Sequence, residues 1–145
     1  MGSYADDALF MSRNNIEYVE LISDDGKSKV MVIPAWQGRV MTTSAAGDEG
    51  DSYGWINYSF IKKRQIDLQF NPVGGEERFW LGPEGGVFSL YFRQGEKQIY
   101  KNWKVPPVLD IEAFKIQSQS KNCICLTKEG CLTNACGTTF YLNIK

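Results

Sequence analysis

The sequence predicts an all-β, mainly antiparallel fold with one short N-terminal helix. Three observations predict it. Short runs alternate apolar and polar residues, as half-buried strands do. Turn signals such as Asp24-Asp25-Gly26-Lys27, Gln119-Ser120-Lys121 and Glu129-Gly130 separate these runs. Aromatic residues make up 13 % of the chain, and aromatic rings favour strands. With 145 residues the chain has one domain's worth of core, so residues 1–145 are expected to form a single domain.

Each element has its own warrant. Residues 4–13, from Tyr4 to Arg13, read as the helix, with Asp6 or Asp7 as its cap and Asn14-Asn15 as its break. Residues 17–23 and 29–34 read as a hairpin across Asp25-Gly26, with Val30 and Val32 on one face and Met31 and Ile33 on the other. Pro34 to Gly38 is a loop or kink, and Arg39 to Ser44 a third strand. Residues 46–54 form a polar, glycine-rich loop. Asp48, Glu49 and Asp51 lack the ordered spacing of a calcium loop, so solvent is the expected neighbour.

Residues 55–63 are expected to make one or two helical turns capped by Ser52, with Ile56 and Phe60 on one face. Ile66, Leu68 and Phe70 alternate with polar residues as an edge strand would. Residues 87–93 are apolar enough for a buried strand. Pro106-Pro107 is expected to forbid helix and central strand. Strands follow at 114–118 and 122–128, and residues 132–144 read as a strand pair or one long bulged strand around Asn134 to Gly137. A terminal strand leaves an edge with unpaired backbone groups. The chain is thus expected either to pair with a missing C-terminal part or another chain, or to end on an ordinary edge strand.

Composition narrows the function classes. The formal net charge of −1 gives no electrostatic case for nucleic acid or an anionic membrane. Lys62-Lys63-Arg64 is too short a basic cluster to change that. No run of about 18 apolar residues exists, so no membrane span is expected. Histidine is absent, which removes the commonest general acid or base and the commonest zinc ligand. Cys123, Cys125, Cys131 and Cys136 follow C-x-C-x5-C-x4-C, which lacks the knuckle spacing of a zinc site. Buried free thiols facing a core are the first expectation, a disulfide the second and metal the third. No metal and no cofactor is expected.

The stretch from Gly74 to Gly86, Gly-Gly-Glu-Glu-Arg-Phe-Trp-Leu-Gly-Pro-Glu-Gly-Gly, stands out. It holds five glycines, a proline, three carboxylates, an arginine and a tryptophan. It predicts a short strand, Arg78 to Leu81, between two tight turns, with Arg78 and Trp80 on one face and Phe79 and Leu81 on the other. A cation and a flat aromatic side by side suit a sugar, which needs hydrogen-bond partners and a flat apolar surface. Arg78, Trp80, Glu84 and Glu77 are therefore the candidate carbohydrate-binding residues. Pro83 is expected to aim Glu84 inward, Glu76 is a further acceptor, and Trp55 and Asn57 are weaker candidates. A structural reading stands beside this one: Arg78 and Glu84 as an ion pair holding the turns, and Trp80 as core.

Three stretches carry a family resemblance: residues 34–44, residues 53–57 and residues 74–86, the last through Gly-Gly-Glu-Glu-Arg-Phe-Trp. Together with Leu132 to Phe140 they resemble the N-terminal part of a bacterial domain family that is similar to the galactose mutarotase (aldose 1-epimerase) superfamily. That resemblance runs from about Tyr4 to Ile144. It implies a place within a larger galactose-mutarotase-like β-supersandwich, a carbohydrate ligand on a concave sheet face, and an extracytoplasmic origin, periplasmic or lipoprotein. Mutarotases use a histidine acid and a glutamate base, so no complete catalytic constellation is expected from this chain. The alternative is a non-catalytic β-sandwich interaction module, or a structural fragment without its own activity.

Overall fold

A computed structural model describes residues 2–145. Antiparallel strands in three sheets, joined by a few short helices, make the predicted class. Helix α1 (Tyr4–Arg13) has the expected span. Its cap is Ser3 rather than Asp6 or Asp7. The Ser3 hydroxyl accepts from the Asp6 N–H at 3.2 Å, and the Asp6 carboxylate accepts from the Ser3 N–H at 3.0 Å, a reciprocal capping box. Asp7 turns inward instead and accepts from the hydroxyls of Ser52 and Tyr58.

Strands β1 (Val19–Ile22), β2 (Lys29–Ile33) and β3 (Arg39–Ser44) form one sheet in that order. Alternation in β2 is as read from the sequence. Met31 and Ile33 join Tyr4, Met11 and Met41 in a core cluster beneath α1, while Val30 and Val32 face away. The pairing shifts between Met31↔Thr42 and Val32↔Val40, so Met41 is the extra residue of a bulge. That bulge lets both Met41 and Thr42 point into the interior. Between β2 and β3, Pro34–Trp36 make one 3-10 turn, and Gln37 and Gly38 both take positive φ.

The next segment departs from expectation. Trp55–Ile56 form strand β4, paired with β5 (Gly74–Gly75), and the helix α2 starts only at Tyr58 (Tyr58–Lys63). Its cap is Asn57, whose side chain accepts from the Phe60 N–H, not Ser52. Ile56 thus belongs to a strand and does not share a helix face with Phe60. The alternation of Ile66, Leu68 and Phe70 does not produce a strand either. Asp67 and Asn71 cross-bond their own loop: Asn71 Oδ1 accepts from the Asp67 N–H, Asp67 Oδ1 from the Gln69 N–H, and Asn71 Nδ2 donates to the Asp67 carbonyl. These local bonds compete with a sheet ladder, and Ile66 and Leu68 are left exposed.

The remaining corrections have similar causes. The bridge to β3 falls at Glu77, opposite Val40, just before residues 78–81, and these four form an extended loop instead of the predicted short strand. Residues 87–93 fold back on that loop. Leu90 N–H donates to the Pro83 carbonyl, and the Ser89 hydroxyl to the Glu84 carbonyl. Pro107 opens a one-turn helix, α3 (Pro107–Asp110), because a proline at the first helical position sacrifices no bond. Strands β6 (Lys115–Gln119), β7 (Ile124–Thr133) and β8 (Thr139–Ile144) complete the third sheet. The four cysteines are free thiols, but not buried ones. Cys123, Cys131 and Cys136 are exposed and Cys125 is half-buried, because this sheet carries no helix over that part of its surface.

A second core cluster gathers Tyr91, Phe92, Val105, Val108, Leu109 and Leu132 under residues 79–81. The first and third sheets are linked by backbone bonds at two points at or beside their strands. Ile22 N–H donates to the Lys121 carbonyl at 2.9 Å, and Phe114 N–H to the Pro34 carbonyl at 2.8 Å. Between these sheets lies an open groove of ≈ 650 Å³.

Candidate functional site

The groove floor is apolar. Val30, Val32 and Val40 come from the first sheet, and Ile124, Leu126 and Ile144 from the third. Its polar wall is the glycine-bracketed stretch, which presents Glu77, Arg78 and Trp80, with Gln37 beside them. Of the four candidate residues, the structure brings three to this groove. Glu84 is exposed outside it, and Trp55 and Asn57 do not line it. A second cleft, ≈ 570 Å³, is lined by Leu90, Tyr91 and Leu132 among others and holds none of the four.

Glycine makes this wall possible. Gly74 and Gly75 sit at φ of 95° and 113°, where other residues are strained. A side chain on Gly75 would meet Arg39 Cδ at 2.7 Å. Arg39 is nearly fully buried and fills that space. Its Nη1 donates to the Gly74 carbonyl at 2.6 Å and its Nη2 to Gln37 Oε1 at 3.4 Å, while Nε has no partner. The paired glycines therefore serve a buried arginine as much as a turn.

Arg78 is held from several sides. Its guanidinium lies 4.2 Å from the Trp80 ring centroid and 5.8 Å from that of Phe70. Nη2 donates to the Leu109 carbonyl, and stands 3.6 Å from Asp110 Oδ1. That separation is a Coulombic contact, too long for a hydrogen bond. The structural ion pair of Arg78 is thus with Asp110, not with Glu84. Asp110 Oδ2 accepts from the Asn71 backbone N–H at 2.9 Å and from Asn71 Nδ2 at 2.8 Å.

Trp80 packs against the second core cluster and lines the groove. One side takes the Arg78 cation, and its ring centroid lies 5.3 Å from that of Tyr91. Tyr91 stacks at 5.5 Å on Trp103, which stacks at 6.3 Å on the exposed Tyr100. The indole Nε1–H donates to Glu84 Oε1 at 2.9 Å. Glu84, following a cis Gly82–Pro83 peptide, orients the indole from the solvent side rather than pointing inward.

The electrostatics follow from burial. Burial is the largest influence on Arg39 and, with Arg78 beside it, pushes its guanidinium down to about 10, against the pull of Asp110. Burial also lowers Arg78, opposed by Asp110 and Tyr91. Both arginines stay charged at neutral pH. Burial raises the Asp110 carboxyl, opposed by its two bonds from Asn71 and by both arginines. Two guanidiniums therefore share one carboxylate.

Nothing local in the sequence marks Arg39, Asn71 and Asp110 as a cluster. Arg39 to Arg78 is a separation of 39 residues and Arg78 to Asp110 one of 32, so no local spacing signals them. Among the described residues no group of three or more His, Cys, Asp or Glu gathers into a metal-binding arrangement, and no helix is long and apolar enough to cross a membrane.

A family model described as a family of unknown function (DUF6786) matches residues 2–145. No curated protein and no solved structure matches the chain.

Proposed function

The chain belongs to the DUF6786 family, and from that premise we propose that it is a carbohydrate-binding β module whose ligand lies in the groove between the two three-stranded sheets. One observation carries this: Arg78 and Trp80 stand stacked on the wall of that groove, beside Glu77 and Gln37, above an apolar floor. A sugar ring needs a flat apolar face and a few placed polar groups, and this wall offers both. Trp80 contributes the apolar surface that Arg78 and Tyr91 leave open toward the groove, Arg78 is the donor and Glu77 the acceptor. Glu84, outside the groove, holds the indole by accepting from its Nε1–H, and so acts on the ligand through Trp80.

Kinship with the galactose mutarotase-like superfamily is part of this proposal and rests on the sequence stretches that resemble it. Mutarotases use a histidine acid that this chain lacks, so the proposal is one of binding. A second reading, a protein-interaction module, has its own support. The outer edge of β8 is unpaired, and Phe140 and Tyr141 on that strand are exposed.

Calorimetric titration with galactose, glucose and their short oligomers separates the two. Saturable binding is expected, lost in Trp80→Ala and weakened in Glu84→Ala, with Glu84→Ala keeping its thermal stability. A Glu84→Ala variant that melts early but binds sugar normally assigns Glu84 a purely structural role. Absence of binding to every sugar overturns the carbohydrate proposal in favour of the interaction module.

A further inference from the structure

We propose, resting on the carbohydrate reading, that the groove takes an amphiphilic glycoside, with one sugar ring at the wall and an alkyl or acyl chain along the floor. Polar groups are confined to the wall. The floor of Val30, Val32, Val40, Ile124, Leu126 and Ile144 is wholly aliphatic. All of these but Val32 are half-buried, so the floor is open to a ligand and not sealed as core. Gly38 makes part of this floor possible, because a side chain there would collide with Leu126. Lys145 also lines the groove, as an exposed side chain in solvent.

The polar wall has little to spare. Gln37 is buried and committed: its amide donates to the Glu112 carbonyl at 3.4 Å and its oxygen accepts from Arg39. The Trp80 N–H is taken by Glu84, and Arg78 Nη2 by the Leu109 carbonyl. What remains serves one ring, whereas the groove, at ≈ 650 Å³, has the size that takes a larger molecule. A second or third sugar laid on the floor would bury hydroxyls without partners, which is costly. An alkyl chain is favoured by the same burial. A peptide strand is a poor occupant. Val30 and Val32 lie on β2, the central strand of its sheet, whose backbone pairs with β1 on one side and β3 on the other. An extended peptide finds no sheet edge there to join.

Calorimetry of the full chain tests this with methyl, butyl, hexyl and octyl β-glucosides and β-galactosides, all below their micelle-forming concentrations. Maltotriose and 1-octanol are the comparisons, a longer sugar without a tail and a tail without a sugar. From butyl to octyl, affinity is expected to rise about twofold per methylene, half the gain of full burial in a groove open on one side. Maltotriose is expected to bind within about twofold of methyl glucoside, since the floor gives its further hydroxyls no partners. Val30→Thr, which keeps the side-chain shape and the strand preference but adds a hydroxyl to the floor, is expected to reduce the gain per methylene. An unchanged gain in that variant places the tail elsewhere and overturns the proposal. Equal affinity for methyl and octyl glycosides, or maltotriose binding more tightly than the octyl glycosides, overturns the amphiphile and leaves the carbohydrate reading standing. Octanol binding as tightly as the octyl glycosides overturns both, because the site then recognises a chain and not a sugar. No binding of any probe also overturns both.

Discussion

At the scale of single residues, Arg78 is both the most constrained group of the site and the most useful for its chemistry. Its stack on Trp80 and its contacts with Leu109 and Asp110 fix the guanidinium. Removing it leaves Asp110 buried with Arg39 as its remaining cation. Arg78→Ala is expected to lower stability by about 3 kcal/mol in urea melts. A loss within about 0.5 kcal/mol of zero, as for an ordinary surface change, contradicts that placement. Asp110 makes a prediction of the opposite kind to an ordinary paired acid. Its carboxyl is raised above 3.8 in the folded state, by burial first. Between 3.8 and that raised value the folded chain holds more protons than the unfolded one. The Asp110 contribution to stability is therefore present below this window and falls as the pH rises through it. Melts of the native chain and of Asp110→Asn from acid to neutral pH isolate the effect. The stability difference, native minus variant, is expected to fall with rising pH. A difference that rises instead makes Asp110 a conventional stabilising carboxylate.

At the scale of elements, local order was legible and long-range order was not. Helix α1 and the β1–β2 hairpin follow from signals a few residues apart: the acidic start at Asp6 and Asp7, the break at Asn14 and the turn at Gly26. The alternation of Val30 and Val32 against Met31 and Ile33 places the pairs on opposite faces, as found, and the structure makes one face core and the other groove. The same alternation misled at Ile66, Leu68 and Phe70, because Asp67 and Asn71 satisfy the backbone locally. Apolar content misleads in turn at residues 87–93, where Ser89 ties the chain back to Glu84. Periodicity reports where apolar groups fall along the chain, and it is blind to which polar side chain will take the backbone bonds. Two substitutions test the elements that did form. Ser3→Ala is expected to weaken the chain by about 1 kcal/mol through the lost cap of α1. Gly74→Ala is expected to cost more, about 2 kcal/mol or above, since its side chain would stand 2.2 Å from the Trp55 carbonyl oxygen at a φ of 95°. If Gly74→Ala melts like the native chain, the β4–β5 pairing is not the anchor of the site's wall.

At the scale of the whole molecule, the groove exists because two antiparallel sheets face each other without closing. The sequence pointed to Gly74–Gly86 through its glycines, and to Arg78 and Trp80 through their alternation. It held no sign of the opposite wall, because Val30, Val40, Leu126 and Ile144 come from four strands spread over the chain. The pairing of Arg78 with Asp110 was hidden for the same reason. What the stretch presents is a stacked cation and indole, steadied from behind by Tyr91 and from outside by Glu84.

The most direct measurement is a 15N-resolved NMR titration of the full chain with galactose, glucose and their short oligomers, followed at the Trp80 indole Nε1–H. That proton is bonded to Glu84 and reports on the indole whose ring meets the sugar. Saturable shifts are predicted for this signal together with the backbone amides of Glu77, Val40 and Leu126. Shifts confined to other surfaces, or a Trp80 signal unmoved at saturating sugar, contradict the placement of a carbohydrate in this groove.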